Sequence, residues 1–274
     1  MSATVRLTMA QALVRYLVAQ QVRDEESGGL LPLFAGVFAI FGHGNVAGLG
    51  EALYHQRDRL PTYRAHNEQA MGHAAIAYAK AHMRRRMMAV TTSIGPGATN
   101  LLTAAALAHV NRLPVLLLPG DIFVSRAPDP VLQQLEDFGD GTVSVNDCFR
   151  TVSRYFDRIV RPEQLLTALP RAMHVLTDAA LCGPVTLALP QDVQAEAYDW
   201  PENFFAERVH AFRRVPPAED DVAAAAQALR GARRPVLIVG GGALYAGAGE
   251  AVRQFAETHG VPVAETQAGK GLLA

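Results

Sequence analysis

Cysteine, net charge and long apolar runs are all scarce in this sequence. Two cysteines, Cys148 and Cys182, in 274 residues cannot build a disulfide framework or a cysteine-rich zinc site, and a reducing cytoplasm is expected. Lys and Arg number 25 against 26 Asp and Glu, a net charge of -1. That balance gives no electrostatic case for nucleic acid or an anionic membrane, so the expected partners are small molecules or protein. The longest apolar run, "GLLPLFAGVFAIFG" from Gly29 to Gly42, is too short to cross a bilayer and contains Pro32; it reads as buried core. The N-terminus lacks a basic start followed by an apolar stretch and a small-residue cleavage site, so secretion is not indicated. No period of tens of residues recurs and no tract is of low complexity.

What is present is the balance of a globular protein with a real core, 50% hydrophobic and 19% charged. Thr8 with Gln11 forms a candidate capping box, opening a helix whose apolar side is Leu13, Val14, Leu17 and Val18. "LFAGVFAIFG", "GHGNVAGLG" and "GEALYHQR" then read as strand, glycine turn and helix, and "MMAVTTS", "IGPGATN" and "ATNLLTAAALAHV" repeat the sequence. "PVLLLPGD" and "GPVTLALPQDV" are short apolar runs without polar alternation, the pattern of buried parallel strands. The expected fold is α/β, an open parallel sheet with helices on both faces, binding its ligand at the carboxyl ends of the strands.

Residues 1–196 are read as this domain. The prolines and charges of residues 197–220 predict a linker. Residues 221–274 begin a second α/β unit with "DDVAAAAQALRGA", "RPVLIVGGG", "GAGEAVRQFAETHG" and "VPVAETQ", too little chain for a sheet of the usual size. The chain is therefore expected to be part of something longer.

Several motifs invite a ligand and carry a structural alternative. "VGGGALYAG" places Gly240 and Gly242 as a dinucleotide loop would, but Tyr245 occupies the third glycine position. "GHGNVAG" at Gly42 has Ala47 there, so a tight turn lining a cleft is the safer reading. In "EDFGDGTVSVND", a kinase reading of Asp137-Phe138-Gly139 lacks its companion motifs, and a calcium loop would put Phe138 at a ligand position. The basic cluster "MRRRMM", residues 83–88, reads as a solvated helix end. "SIGPGATN" puts two glycines around Pro96 between a strand and a helix, where backbone can approach a ligand, with Thr99 and Asn100 as donors. Glu68 stands among Ala65, Ala70, Met71, Ala74, Ala75 and Ile76. It is either a surface carboxylate or a buried one, and a buried carboxyl favours its neutral form and suits sharing a proton.

Taken together, "HNEQAMGHAAIAYAK", "TTSIGPGATNLLTAAALAH", "NRLPVLLLPGDI" and "GPVTLALPQDVQ" resemble the N-terminal pyrimidine-binding domain of thiamine-diphosphate enzymes of the acetolactate synthase and decarboxylase type. The segment from Arg234 resembles the start of that family's central domain. "FAIFGHGNVAGLGEAL", "AHVNRLPVLLLPGD", "PDPVLQQLEDFGDGTVSVNDCFR" and "SRYFDRIVRPEQL" are similar to the branch that opens a cyclic dione in myo-inositol catabolism.

The resemblance implies thiamine diphosphate as cofactor, with Glu68 hydrogen-bonded to its aminopyrimidine ring and Gly97 and Asn100 lining its cleft. It implies a small cyclic dione as substrate, cut between two carbonyl carbons to a 5-deoxy-glucuronate-type acid. His43, Asn45, His66 and His73 become candidates for handling protons on the substrate, His43 first because a glycine turn after a strand exposes it at the ligand edge. The family holds the diphosphate and Mg2+ in a separate C-terminal domain through G-D-G followed at much longer spacing by N-N. Gly139-Asp140-Gly141 is followed too soon by Asn146 and is rejected, so the Mg2+ ligands are expected outside this segment. A homodimer or homotetramer is implied, because the family's cofactor lies between subunits. The alternatives are an acetolactate-synthase-like carboligase or decarboxylase, a non-catalytic interaction module, and a plain nucleotide-binding α/β protein.

Overall fold

Thr8 closes β1 (Thr4–Thr8) and opens α1 (Met9–Val18) with the reciprocal bonds the capping box predicts. Its hydroxyl accepts from the Gln11 amide at 3.2 Å, and its own amide donates to Gln11 Oε1 at 3.0 Å. The computed structural model describes every residue except 1, 2, 26, 138, 214 and 274; Phe138, of the triplet considered above, lies outside the described residues. The chain divides into two units, Met1–Phe212 and Arg213–Ala274, each described by itself.

In the first unit, β2 (Gln20–Arg23) and β3 (Leu30–Pro32) pair antiparallel. Then come β4 (Phe34–Ala39), a π-helical turn at Val46–Gly50, α2 (Glu51–His55), β5 (Thr62–Tyr63), α3 (Glu68–Ala81), β6 (Met87–Thr92), α4 (Pro96–Asn100), α5 (Leu102–Asn111) and β7 (Leu116–Asp121). After a 3-10 turn at Val145–Thr151 follow β8 (Tyr155–Arg158), α6 (Leu165–Thr177), β9 (Val185–Pro190), α7 (Gln191–Ala195), β10 (Ala197–Pro201) and β11 (Arg208–His210).

Six strands form one all-parallel sheet in the order β5-β4-β6-β7-β9-β8. Every residue of β6, β7 and β9 is buried, as unalternating Val/Leu-rich runs require when both faces are covered. Met87, Ala89, Leu116, Leu118, Val185, Leu187 and Leu189 project into one core with Leu13 and Leu17 of α1 and Leu169 of α6. Alternate positions, such as Met88 and Val90, belong to the opposite face, where α3 packs on β6 and β4 and against α5. Gly72 of α3 permits that last contact: a Cβ there would sit 2.4 Å from the Ala104 Cβ.

The predicted linker is in large part ordered core. β10 pairs antiparallel with β1 over five residues, and β11 adds parallel to β2. Trp200, Phe204 and Phe205 are buried and packed as an aromatic cluster with Tyr16 and Tyr198. The prolines that suggest a linker sit at edges here: Pro201 ends β10 and leads into the turn at Glu202–Phe205. The boundary between units falls after Phe212.

The second unit contains α8 (Glu219–Gly231), β12 (Leu237–Val239), α9 (Gly241–Tyr245), α10 (Gly249–His259) and β13 (Val263–Glu265), with β12 and β13 parallel. Among the described residues, no helix is long and apolar enough to cross a membrane. Cys148 and Cys182 are unpaired thiols; burial pushes Cys182 up to about 11, so it behaves as a small apolar side chain.

Candidate functional site

The chain leaves β4 for the edge strand β5 and returns on the other side of β4 to make β6, so the strand order reverses between β4 and β6. At such a switch point the two connections diverge above the carboxyl ends of the strands and leave a crevice between them. A cleft of about 640 Å³ lies there, lined by Ile40, Phe41 and Gly42 after β4, Ser93 after β6, Pro96, Gly97, Thr99 and Asn100 of α4, Glu68 of α3, and Gln133.

Glu68 is the first residue of α3. Asn67 caps that helix by accepting from the Ala70 amide at 2.8 Å, and a carboxylate in the first turn is favoured by the helix dipole. The interior position that its apolar neighbours suggest is therefore a helix start, and the side chain is half-buried rather than enclosed. Asn100 Nδ2 donates to Glu68 Oε2 at 2.8 Å. The other oxygen, Oε1, lies beside the bare Cα of Gly97, where a Cβ would come within 3.2 Å. Glu68, Gly97 and Asn100 are thus one cluster on one wall.

Gly95 turns the chain from β6 into α4 with φ +59, and a Cβ there would lie 2.0 Å from the Gln133 carbonyl. Glycine is required twice over, by conformation and by space. Contact with Gln133 brings the 122–143 loop onto the cleft. The loop is tied down at both ends. The Val124 and Ser125 amides donate to the two Asp192 oxygens, each at 3.0 Å. At the other end, Ser144 Oγ donates to buried Asp121, which also accepts from Arg158 Nε at 2.7 Å and Nη2 at 3.2 Å and so draws the two ends together. Burial pushes the Asp121 carboxyl up, and Arg158 pulls it back.

The four substrate candidates separate. His43 lies between Gly42 and Gly44 after β4, and its Nε2 is buried without a hydrogen-bond partner. Asn45 is buried, and both of its amide hydrogens are used, at 3.0 Å to Thr91 Oγ1 and 3.0 Å to Thr92 O, while its oxygen accepts from the Gly42 amide. It braces the β4 turn against β6 and has no donor left for a substrate. His66 is exposed ahead of the Asn67 cap. His73 meets Gln69 Nε2 at 3.3 Å and lies roughly 140° around α3 from Glu68, at about 100° per residue. None of the four is among the cleft-lining residues; Gly42, next to His43, is.

Sequence reasoning missed Ser93, Gln133 and Gln194. Ser93 opens "SIGPGATN", a stretch whose conspicuous feature is its pair of glycines. Gln133 lies in a stretch without period. Gln194 Nε2 donates to Gly44 O and Leu189 O, each at 2.9 Å, and its Oε1 accepts from the Leu49 amide; nothing in "PQDVQ" signals that it braces a turn 150 residues away.

The cluster suits the ring of a heteroaromatic cofactor: a carboxylate with one oxygen fixed and the other beside a bare glycine, next to apolar Ile40 and Phe41. Comparison with known proteins gives the same direction. Residues 33–140 match the N-terminal TPP binding domain of thiamine pyrophosphate enzymes, and residues 222–274 match their central domain. The chain belongs to the thiamine pyrophosphate enzymes. Among curated members of that family-wide likeness, a 3D-(3,5/4)-trihydroxycyclohexane-1,2-dione hydrolase from Geobacillus thermodenitrificans (strain NG80-2) is 53% identical over 270 residues. A protein of the same description from Bacillus cereus (strain ZK / E33L), numbered 1 there, is 52% identical over 270 residues. In both comparisons 98% of this chain is aligned, and it spans 42% of the relative's length.

The Gly139-Asp140-Gly141 triplet is built as a turn. Asp140 Oδ1 accepts from the Thr142 hydroxyl at 2.6 Å and amide at 2.9 Å. Those bonds hold the carboxyl below its usual range. Among the described residues no group of three or more His, Cys, Asp or Glu side chains could hold a metal ion.

Proposed function

We propose that this chain supplies the pyrimidine-holding part of a thiamine-diphosphate-dependent hydrolase that opens the ring of 3D-(3,5/4)-trihydroxycyclohexane-1,2-dione. The product would be a 5-deoxy-glucuronate-type acid, formed by adding water across a carbon–carbon bond in myo-inositol catabolism. The observation that carries the reading is the Glu68–Asn100 pair beside Gly97 at the sheet's switch point, and the relatives' description supports the choice of substrate.

When bound, thiamine diphosphate supplies the nucleophilic carbon and electron sink that cutting between two carbonyl carbons needs. The residues here orient and move protons. Asn100 fixes one Glu68 oxygen, so the other presents in one direction and can hold and return a proton at a ring nitrogen. Gly97 keeps that approach open. His43, with its ring nitrogen unspent, takes or gives a proton on the substrate. Mg2+ and the diphosphate belong to oxygen ligands in the additional length that the relatives have. The intact protein is proposed to be cytoplasmic and to act as a homodimer or homotetramer.

The test joins this chain to the remaining length found in its relatives. Ring opening of the dione is followed with and without thiamine diphosphate and Mg2+, in the wild type and in Glu68→Gln. Hydrolysis that depends on the cofactor and falls by about 10²- to 10⁴-fold in the variant is the expected result. An intact dione with consumption of pyruvate would assign a carboligase instead. No reaction of either compound would leave the cleft without a catalytic role.

A further inference from the structure

Four hydroxyls cluster at the end of β6 and on α4, and three are spent on backbone carbonyls. Thr91 Oγ1 donates to Leu118 O at 2.8 Å, Thr92 Oγ1 to Ser93 O at 3.0 Å and Thr99 Oγ1 to Pro96 O at 3.2 Å. The fourth is Ser93, only 6% exposed, whose Oγ is buried with no hydrogen-bond partner. Leaving such an oxygen unpaired is costly, and in native proteins it calls for a specific reason.

Its surroundings supply one. Ser93 lines the cleft. A Cβ on Gly42 would sit 2.3 Å from its Oγ, so the glycine before His43 is what leaves room for this oxygen. On its other side, a Cβ on Gly97 would lie 3.6 Å from Ser93 Cβ and 3.2 Å from Glu68 Oε1. Ser93 therefore packs directly on the Gly42 backbone, while its Cβ side neighbours the Gly97 and Glu68 wall of the cleft. The polar edge of the cofactor's pyrimidine is already addressed by Glu68. A substrate carrying three hydroxyls and two ketones needs further partners, and a hydroxyl can both donate and accept.

We propose that Ser93 is a substrate-binding residue whose Oγ hydrogen-bonds an oxygen of the polyhydroxylated cyclic ketone, fixing the ring beside Glu68. The assignment rests on the dione-hydrolase reading and adds to it a contact that determines specificity. A site built to pair a substrate hydroxyl discriminates strongly against analogues that lack it.

The experiment uses the chain joined to its relatives' remaining length, as wild type and Ser93→Ala. Three quantities are measured: steady-state kinetics on the dione, thiamine diphosphate affinity by calorimetry, and Tm. Removing one hydrogen bond to substrate raises KM about tenfold. Affinity for the cofactor stays within about twofold. Tm holds or rises, because an unpaired buried oxygen has been removed. A higher Tm with unchanged KM would make the orphan a structural accident and overturn the proposal. A loss of cofactor affinity equal to the rise in KM would move the contact to the cofactor and also overturn it. A wild type that binds thiamine diphosphate but leaves the dione intact would remove the reaction reading, and with it the substrate assigned to Ser93. A wild type that opens the ring with an unaltered KM in the variant would remove the Ser93 assignment alone.

Discussion

Two turns in this chain are spelled alike and built differently. After β4 the sequence runs Gly42-His43-Gly44, and after β12 it runs Gly240-Gly241-Gly242. Both follow a parallel strand and lead into a helical turn. The first is locked from below: Asn45 ties it to β6, Gln194 holds the Gly44 carbonyl, and Ser93 and Ile94 fill the space a side chain on Gly42 or Gly44 would need. The second has no side-chain cap on α9, and a Cβ on Gly242 would meet nothing within 4 Å. A glycine motif thus says little until its neighbours are known. In one case glycine is demanded by packing against the next strand; in the other the position accepts a side chain.

The largest expected effect tests whether Asn45 is the brace. Asn45→Ala strands the Gly42 amide and the Thr92 carbonyl near a buried strand end, and should destabilise the protein by about 3 kcal/mol. It is measured as a shift in urea midpoint. A loss within about 0.5 kcal/mol, typical of an unremarkable surface site, would mean the turn holds itself and would erase the contrast.

Next comes the glycine pair. Gly42→Ala forces the new methyl against Ser93 and should cost about 1–3 kcal/mol, as overpacking does. Gly242→Ala, inside a helical turn with open space, should be neutral or gain up to about 1 kcal/mol from reduced chain entropy. Unfolding of the two variants side by side gives shifts of opposite sign if the turns differ as described, and equal shifts if they do not.

The same contrast explains what could be read from the sequence. The capping box at Thr8 and Gln11 and the strands at β4, β6, β7 and β9 depend on local pattern, and local pattern survives in a string of letters. Glu68 was legible because a carboxylate among alanines is conspicuous; that it begins α3 rather than interrupting it depends on the Asn67 cap. Asn45 is a substrate candidate from the sequence because it lies among the motifs that carry the family resemblance. Its partners, Thr91 and Thr92, lie 46 and 47 residues away. Residues 197–220 read as a linker from their prolines, charge and lack of period, and the lack of period has a structural source: Trp200, Phe204 and Phe205 fall on a strand followed by a 3-10 turn. The strand exists only because β1, at the far end of the unit, pairs with it.

The smallest expected effect is electrostatic and separates the neighbourhoods of the two turns by pH. Near the first, burial alone would push Asp192 up, but hydrogen bonds from the Ser125 and Val124 amides outweigh it and hold the carboxyl below its usual range. Near the second, the Leu273 and Gly271 amides hold Glu265 low. In both cases the folded value lies below the unfolded one, so the unfolded chain takes up the proton first. The contribution is therefore complete above roughly pH 4–4.5, where the unfolded carboxylates titrate, and is lost as pH falls through the depressed folded values. Asp192 is partly shielded, whereas Glu265 is open to solvent and screened. Hydrogen-exchange protection should thus fall more at Val124 and Ser125 than at Gly271 and Leu273 as the protein is acidified, and Asp192→Asn should abolish the pH dependence at the first pair only. Equal losses at the two sites would show that shielding around the cleft is no greater than around the open turn, and that the difference between them is one of packing alone.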